Sequence, residues 1–127
     1  MKWKATELEK IGKAEELKLF PLNKDGEFFS SVIIWIVRVD QELFVRSYKG
    51  AKGSWYQHVQ LNHKGRISAS GITKDVNFIR IDKEDKTLND KIDQEYRLKY
   101  QKYGKAYVDP MISSQAQATT IKLEPIS

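Results

Sequence analysis

Ser31-Val-Ile-Ile-Trp-Ile-Val-Arg-Val39, followed after Asp40-Gln-Glu42 by Leu43-Phe-Val-Arg-Ser47, decides the fold class of this 127-residue chain. The first run is β-branched and nearly continuous, the pattern of a strand buried on both faces. Three polar residues are too few for a crossover connection, so the second run returns as an antiparallel partner. Working outward, strand patterns recur at 17–20 before Pro21, at 66–72, at 75–81 and at 119–123 before Pro125.

Helical spacing fills the gaps. Leu8, Ile11, Ala14 and Leu17 share one face, with Thr6 and Glu9 at capping-box spacing. Ser54 is the expected N-cap of a short helix over 55–61, with Trp55 and Val59 turned inward. Leu88, Ile92, Tyr96, Tyr100 and Tyr103 form the stripe of a longer helix, with Thr87 as N-cap and Gly104 as its stop. Ser113 or Ser114 is expected to cap a last short turn. The sum is a mainly β, α+β domain spanning residues 1–127, with about six antiparallel strands and peripheral helices. A small closed or partly open barrel is the economical packing, because closure removes sheet edges.

Charge localises the candidate site. No Asp or Glu occurs from Leu43 to Lys74, while Arg46, Lys49, Lys52, Lys64, Arg66 and Lys74 all do. That stretch carries +6 of a net +5, so the remainder sums to −1. Local cation excess implies an anionic partner, most often phosphate, because self-repulsion otherwise costs stability. Arg46 to Tyr56 reads as a strand end, a glycine-containing loop and a helix start, a place suited to a phosphate. Arg46, Lys49, Lys52 and the N–H groups after Ser54 are the candidate cradle. Trp55 and Tyr56 read either as core anchors or as stacking platforms for a planar ring.

Other chemistries are poorly supplied. There are no cysteines, hence no disulfides, thiolate nucleophiles or cysteine metal sites, and a reducing cytoplasm is the expected compartment. No apolar leader follows Met1, and the longest apolar run is too short for a bilayer, so neither a signal peptide nor a membrane is expected. His58 and His63 stand five apart with no third ligand nearby, so no metal site is expected. Asp82, Glu84, Asp85, Asp90, Asp93 and Glu95 are interleaved with lysines and read as a solvated helix face. No catalytic triad or dyad is apparent.

Trp35-Ile-Val-Arg38, Leu43 to Ser47, Gly53-Ser-Trp-Tyr56, Gly65-Arg-Ile67, Tyr96 to Gly104 and Ile121 to Pro125 together resemble a bacterial family of unknown function over its full length. That family is in turn similar to the deazaflavin-dependent nitroreductases and to flavin-binding proteins of the pyridoxamine-phosphate-oxidase type. The resemblance implies a split β-barrel, commonly a homodimer, with FMN or a deazaflavin in a groove and an oxidoreductase activity. It places a cofactor phosphate at the Ser47–Ser54 loop, within reach of Lys49 and Lys52. Cofactor contacts are therefore expected from Arg46, Ser47, Lys49, Lys52, Ser54, Trp55 and Tyr56. The relatives carry a second basic turn before the tryptophan strand; here Asn23-Lys-Asp-Gly26 pairs its lysine with an Asp. The alternative readings are a non-catalytic binding module for a phosphorylated metabolite, or for single-stranded nucleic acid. The last is the weaker, since most aromatics already fit the core.

Overall fold

In the computed structural model, which describes residues 2–126, seven strands form one antiparallel sheet. They are β1 (Leu17–Pro21), β2 (Val32–Ile34), β3 (Val37–Val39), β4 (Glu42–Val45), β5 (Lys64–Ala69), β6 (Ile72–Arg80) and β7 (Ile121–Pro125). Their order is β2-β1-β5-β6-β7-β4-β3. Strands β2 and β3 thus lie at opposite ends of the sheet, yet only Trp35 and Ile36 separate them in the chain. Three Cα steps reach at most about 11 Å, so the two edges stand that close. The sheet is curled into a split β-barrel, and residues 35 and 36 cross the split.

This corrects the reading of 31–39 as a single strand. The run changes partners midway. Val32 to Ile34 pair with β1, whereas Val37 to Val39 pair with β4. Closing the curled sheet needs a chain that leaves one edge and joins the other, and an unbroken strand cannot do both. Seven strands replace the six expected. The β5–β6 turn also falls earlier than expected, at Ser70-Gly71, where both residues have positive φ (51° and 78°). Two such residues suit the primed turn that joins tightly twisted strands.

Five helices flank the sheet: α1 (Ala5–Lys13), α2 (Ser54–Leu61), α3 (Lys86–Tyr100), α4 (Lys105–Val108) and α5 (Ser114–Gln117). Their caps differ from the sequence expectation. Glu7 accepts from the Lys4 backbone N–H at the start of α1, so Thr6 lies inside the helix. Asp85, not Thr87, caps α3 by accepting from the Leu88 N–H. Ser113 does cap α5, accepting from the Ala116 N–H.

Strand β4 shows how the core divides. Leu43 and Val45 join one cluster with Leu8 and Ile11 of α1, Val59 of α2, and Ile67, Phe78 and Leu123 of the sheet. Phe44, between them, joins a second cluster with Val37, Val39 and Ile92, Tyr96 and Tyr100 of α3. Alternate residues of one strand serve opposite faces, which explains its lack of polar alternation. Gly65 on β5 is required by packing: a Cβ there would stand 2.5 Å from the Phe20 carbonyl oxygen.

Candidate functional site

The loop from β4 into α2 is wound tightly. The Gly50 N–H donates to the Ser47 carbonyl (3.0 Å) and the Gly53 N–H to the Gly50 carbonyl (3.1 Å). Gly50 takes φ +68°, a conformation glycine adopts without penalty. The N-cap of α2 is Gly53 rather than Ser54, and no side chain caps the helix. The first returning bond runs from Gln57 N–H to Gly53 O (3.1 Å), so the N–H groups of Ser54, Trp55 and Tyr56 precede it. Gly53 is pressed against Ser47: a Cβ at 53 would lie 2.3 Å from the Ser47 hydroxyl oxygen. Ser47 is buried and fixed in turn by its N–H, which donates to Thr119 Oγ1 at 3.0 Å.

Two adjoining cavities open beside this loop. The smaller, about 310 Å³, is lined by Ser30, Ser47, Lys49, Gly53, Ser54 and His58 among others. The larger, about 550 Å³, is chiefly apolar. Residues 32–35 line one part of it, and Ala106, Tyr107, Pro110 and Met111 another. Val32, Tyr48 and Trp55 line both cavities, so the pocket that gathers the polar side chains and the apolar slot share a wall. Both volumes fall in the range of small-molecule sites. The rim is aromatic and exposed: Tyr48 is 61% and Tyr107 67% accessible.

The predicted residues separate on this geometry. Ser47, Lys49, Ser54 and Trp55 come together at the polar pocket. Lys49 is exposed, with Nζ 5.7 Å from the Tyr48 ring centroid. Lys52 is exposed on the 3-10 turn and lines neither cavity. Tyr56 belongs to the core and lines neither. Trp55 is both a core residue and a wall of the site.

Arg46 departs furthest from expectation. Its side chain lines the slot, but the guanidinium is fully buried and committed within the fold. It donates to Asp93 Oδ1 (2.5 Å), Asn89 Oδ1 (2.9 Å), Thr120 Oγ1 (2.8 Å) and the Met111 carbonyl (3.0 Å). It also lies over the Tyr96 ring, 5.6 Å from the centroid. Fork donors satisfied this completely do not grip a phosphate. Asp93, in turn, is buried rather than part of a solvated face, and also accepts from Gln117 Nε2 at 2.8 Å.

Sequence reasoning missed the other half of the site. Nothing in the sequence sets residues 32–35 apart from plain strand or joins Ser30 to the loop. His58 stacks on Phe29 with ring centroids 3.6 Å apart. No sequence signal marked this half: Ile33 is 56% exposed, which only the fold reveals.

Behind the slot, the split is bridged by α3. The Ile36 N–H donates to the Tyr100 hydroxyl (3.1 Å), which donates to the Glu15 carbonyl (2.7 Å). Lys99 Nζ donates to the Ile36 carbonyl at 2.5 Å. Trp35 stacks on Tyr100, centroids 3.9 Å apart and planes 3° from parallel. Burial pushes the Tyr100 hydroxyl pKa up, opposed by its bond to Ile36. Burial pulls the Lys99 ammonium down to about 8, against the raising influence of Glu15 and Glu95. Glu15 itself sits below the usual carboxylate range because Lys102 and the Tyr103 hydroxyl both donate to it.

Residues 7–123 match a family described as an uncharacterized protein conserved in bacteria (DUF2255). The chain belongs to this family. No curated protein sequence matches it. Among solved structures, the heme storage protein HutZ from Vibrio cholerae is similar at TM-score 0.65 and 14% identity, covering 100% of this chain and 92% of that one. A FAD-binding protein from Mesorhizobium loti gives 0.61 at 13% identity, covering 100% and 93%. An F420 reductase gives 0.52 at 12% identity, covering 94% and 93%. At such identities the likeness is one of fold, and it agrees with the split barrel seen here. No helix among the described residues is long and apolar enough to cross a membrane.

Proposed function

We propose that this protein binds a flavin-type ligand, FMN or a deazaflavin, with its planar ring in the apolar slot and its phosphate in the adjoining polar pocket. The shared wall of Val32, Tyr48 and Trp55 carries this reading, because it joins a ring-sized apolar cavity to an anion-suited one. The pocket's fit to a phosphate is physical. The uncapped N-terminus of α2 presents N–H groups and a positive dipole end, Lys49 adds a mobile positive charge, and Ser47 and Ser54 supply hydroxyls. Gly53 keeps the backbone close to Ser47, where any side chain would intrude. Solved proteins of this fold include ones named as FAD-binding and as an F420 reductase, which supports the choice of ligand class.

When bound, the cofactor would supply redox chemistry that no side chain of this protein offers. The protein's part is to orient the ring between Trp35, Trp55 and the Tyr107 rim, and to hold the phosphate. Arg46 is removed from the set of ligand-contacting residues and assigned to holding the loop. Lys52 contributes only long-range charge, and Tyr56 supports α2 from the core. We read the working protein as a cytoplasmic homodimer, with nucleic acid not among its partners. The alternative is a module that binds a phosphorylated metabolite in the same pocket without turnover.

Thermal shift with FMN, FAD, a deazaflavin cofactor and inorganic phosphate tests this. A ligand at about a hundred times its dissociation constant adds ~2.7 kcal/mol to stability, a readily measured shift. The expected result is a shift with one cofactor that shrinks in Lys49→Ala, and no shift with nicotinamide. A shift with phosphorylated metabolites alone would favour the non-catalytic module, and none with any of them would refute the site.

A further inference from the structure

The barrel split poses a hydrogen-bonding problem that the fold solves in an unusual place. Trp35 and Ile36 belong to neither edge strand, so no sheet neighbour satisfies the buried backbone of Ile36. Buried backbone groups need partners. Here they come from two consecutive side chains of α3. Tyr100 takes the N–H (3.1 Å), and Lys99 supplies the carbonyl with an ammonium donor (2.5 Å). The single Tyr100 proton has two acceptors in reach, Glu15 O at 2.7 Å and Ile36 O at 3.0 Å; the nearer is Glu15, which leaves the Ile36 carbonyl to Lys99. The adjoining residue, Trp35, lies flat on Tyr100 and also lines the ligand slot. Neither Lys99 nor Tyr100 lines the slot.

We propose that the Lys99–Ile36–Tyr100 clasp positions the Trp35 wall of the slot, so that the protonation state of Lys99 tunes ligand affinity from a point the ligand does not touch. The inference rests on the slot being the ligand site. Its logic is that an ammonium makes a charge-assisted bond to the Ile36 carbonyl, roughly twice as strong as the bond from a neutral amine. Weakening that bond loosens the two-residue bridge whose other member is Trp35. The titratable and charged groups around Lys99 are Glu95 and Tyr100 on α3, Glu15 and Glu16 between α1 and β1, and Lys102 and Tyr103 just after α3. Of these, Glu15 is held ionised by Lys102 and Tyr103, while Tyr100 is pushed to higher pH. Lys99, near 8, is the one that changes charge in the neutral-to-mildly-alkaline range.

The test uses the full chain labelled with 5-fluorotryptophan, with the Trp35 resonance assigned from Trp35→Phe. The ligand-free Trp35 resonance should move with a midpoint near pH 8. In Lys99→Met it should stay at the alkaline position, and in Lys99→Arg at the neutral one. FMN affinity should weaken by about three- to tenfold across the same titration, the size of one ordinary hydrogen bond, and should be flat in both variants. A Trp35 resonance that titrates equally in wild type and Lys99→Met overturns the clasp, whether or not FMN binds. A resonance that titrates only in wild type, in a protein that binds no FMN, upholds the clasp and refutes the flavin reading.

Discussion

The Tyr100 hydroxyl accepts the Ile36 backbone N–H at 3.1 Å across 64 residues of sequence, in the gap where the barrel's two edge strands fail to meet. A single side chain thereby does the work of a missing strand neighbour. Its ring stacks on Trp35 and its oxygen reaches Glu15, so the split, the slot and the α1–β1 connection are fastened at one point.

Tyr100→Phe keeps the ring stack and deletes only the hydroxyl. It leaves the Ile36 N–H and the Glu15 carbonyl without that partner, and a buried unmet group costs about 1–3 kcal/mol. Urea unfolding should show a loss of that size with an unchanged slope. A loss below about 0.5 kcal/mol would mean that water replaces the hydroxyl without penalty.

Lys99 gives the stability curve a signature. Its folded pKa of about 8 lies below the 10.5 of an unperturbed lysine, so between these the unfolded chain binds more protons. Stability should therefore rise with pH across that interval, and the contribution is lost as pH falls through about 8. Lys99→Met should abolish the rise, at the cost of leaving the buried Ile36 carbonyl without its ammonium donor. The buried tyrosines titrate above their ordinary range and would lower stability only at more alkaline pH. Equilibrium unfolding in a pH series measures both.

Asp93→Ala removes the partner of the fully buried Arg46 guanidinium. Breaking such a pair from one side costs about 3–5 kcal/mol, because an uncompensated charge stays buried. The double change Arg46→Met with Asp93→Leu should be much less costly than the sum of the single changes. Additive losses would show that the pair does not act as a unit.

Gly53→Ala places a Cβ against the Ser47 hydroxyl, the 2.3 Å approach noted above. It should lower Tm by several degrees and abolish FMN binding. Adding Ser47→Ala leaves only ordinary contacts, since the Ser47 Cβ is 3.5 Å away. That double variant should recover Tm without recovering ligand. Recovery of both would remove the Ser47 hydroxyl from the site.

The β3–β4 hairpin, a closing strand (expected at 119–123, found at Ile121–Pro125), the α3 stripe and the basic loop were all legible in the sequence, because each is encoded by neighbours within a few positions. The division of 31–39 was not. Nothing local distinguishes a strand buried on both faces from one that changes edges, since the difference lies in β1 and β4, which capture its halves. Arg46 was misread for the same kind of reason. Its charge was visible in the sequence, but its partners Asn89, Asp93 and Thr120 lie 43, 47 and 74 residues away. Tyr107 falls beyond the helical stripe, and its place at the slot rim follows only from the packing of α4 and the turn after it. The basic loop was therefore readable from composition, whereas the apolar slot beside it needed the fold.

The most direct test of the central claim is a paired calorimetric titration of FMN and riboflavin, which share the ring and differ in the phosphate. If the slot holds the ring and the loop holds the phosphate, both bind. FMN should then be tighter by about ten- to a hundredfold, the equivalent of ~1.4–2.7 kcal/mol for a charge-assisted phosphate site. Lys49→Ala should narrow that gap without weakening riboflavin. Equal affinities for the two, or a gap untouched by Lys49→Ala, would contradict the assignment of the phosphate to this loop.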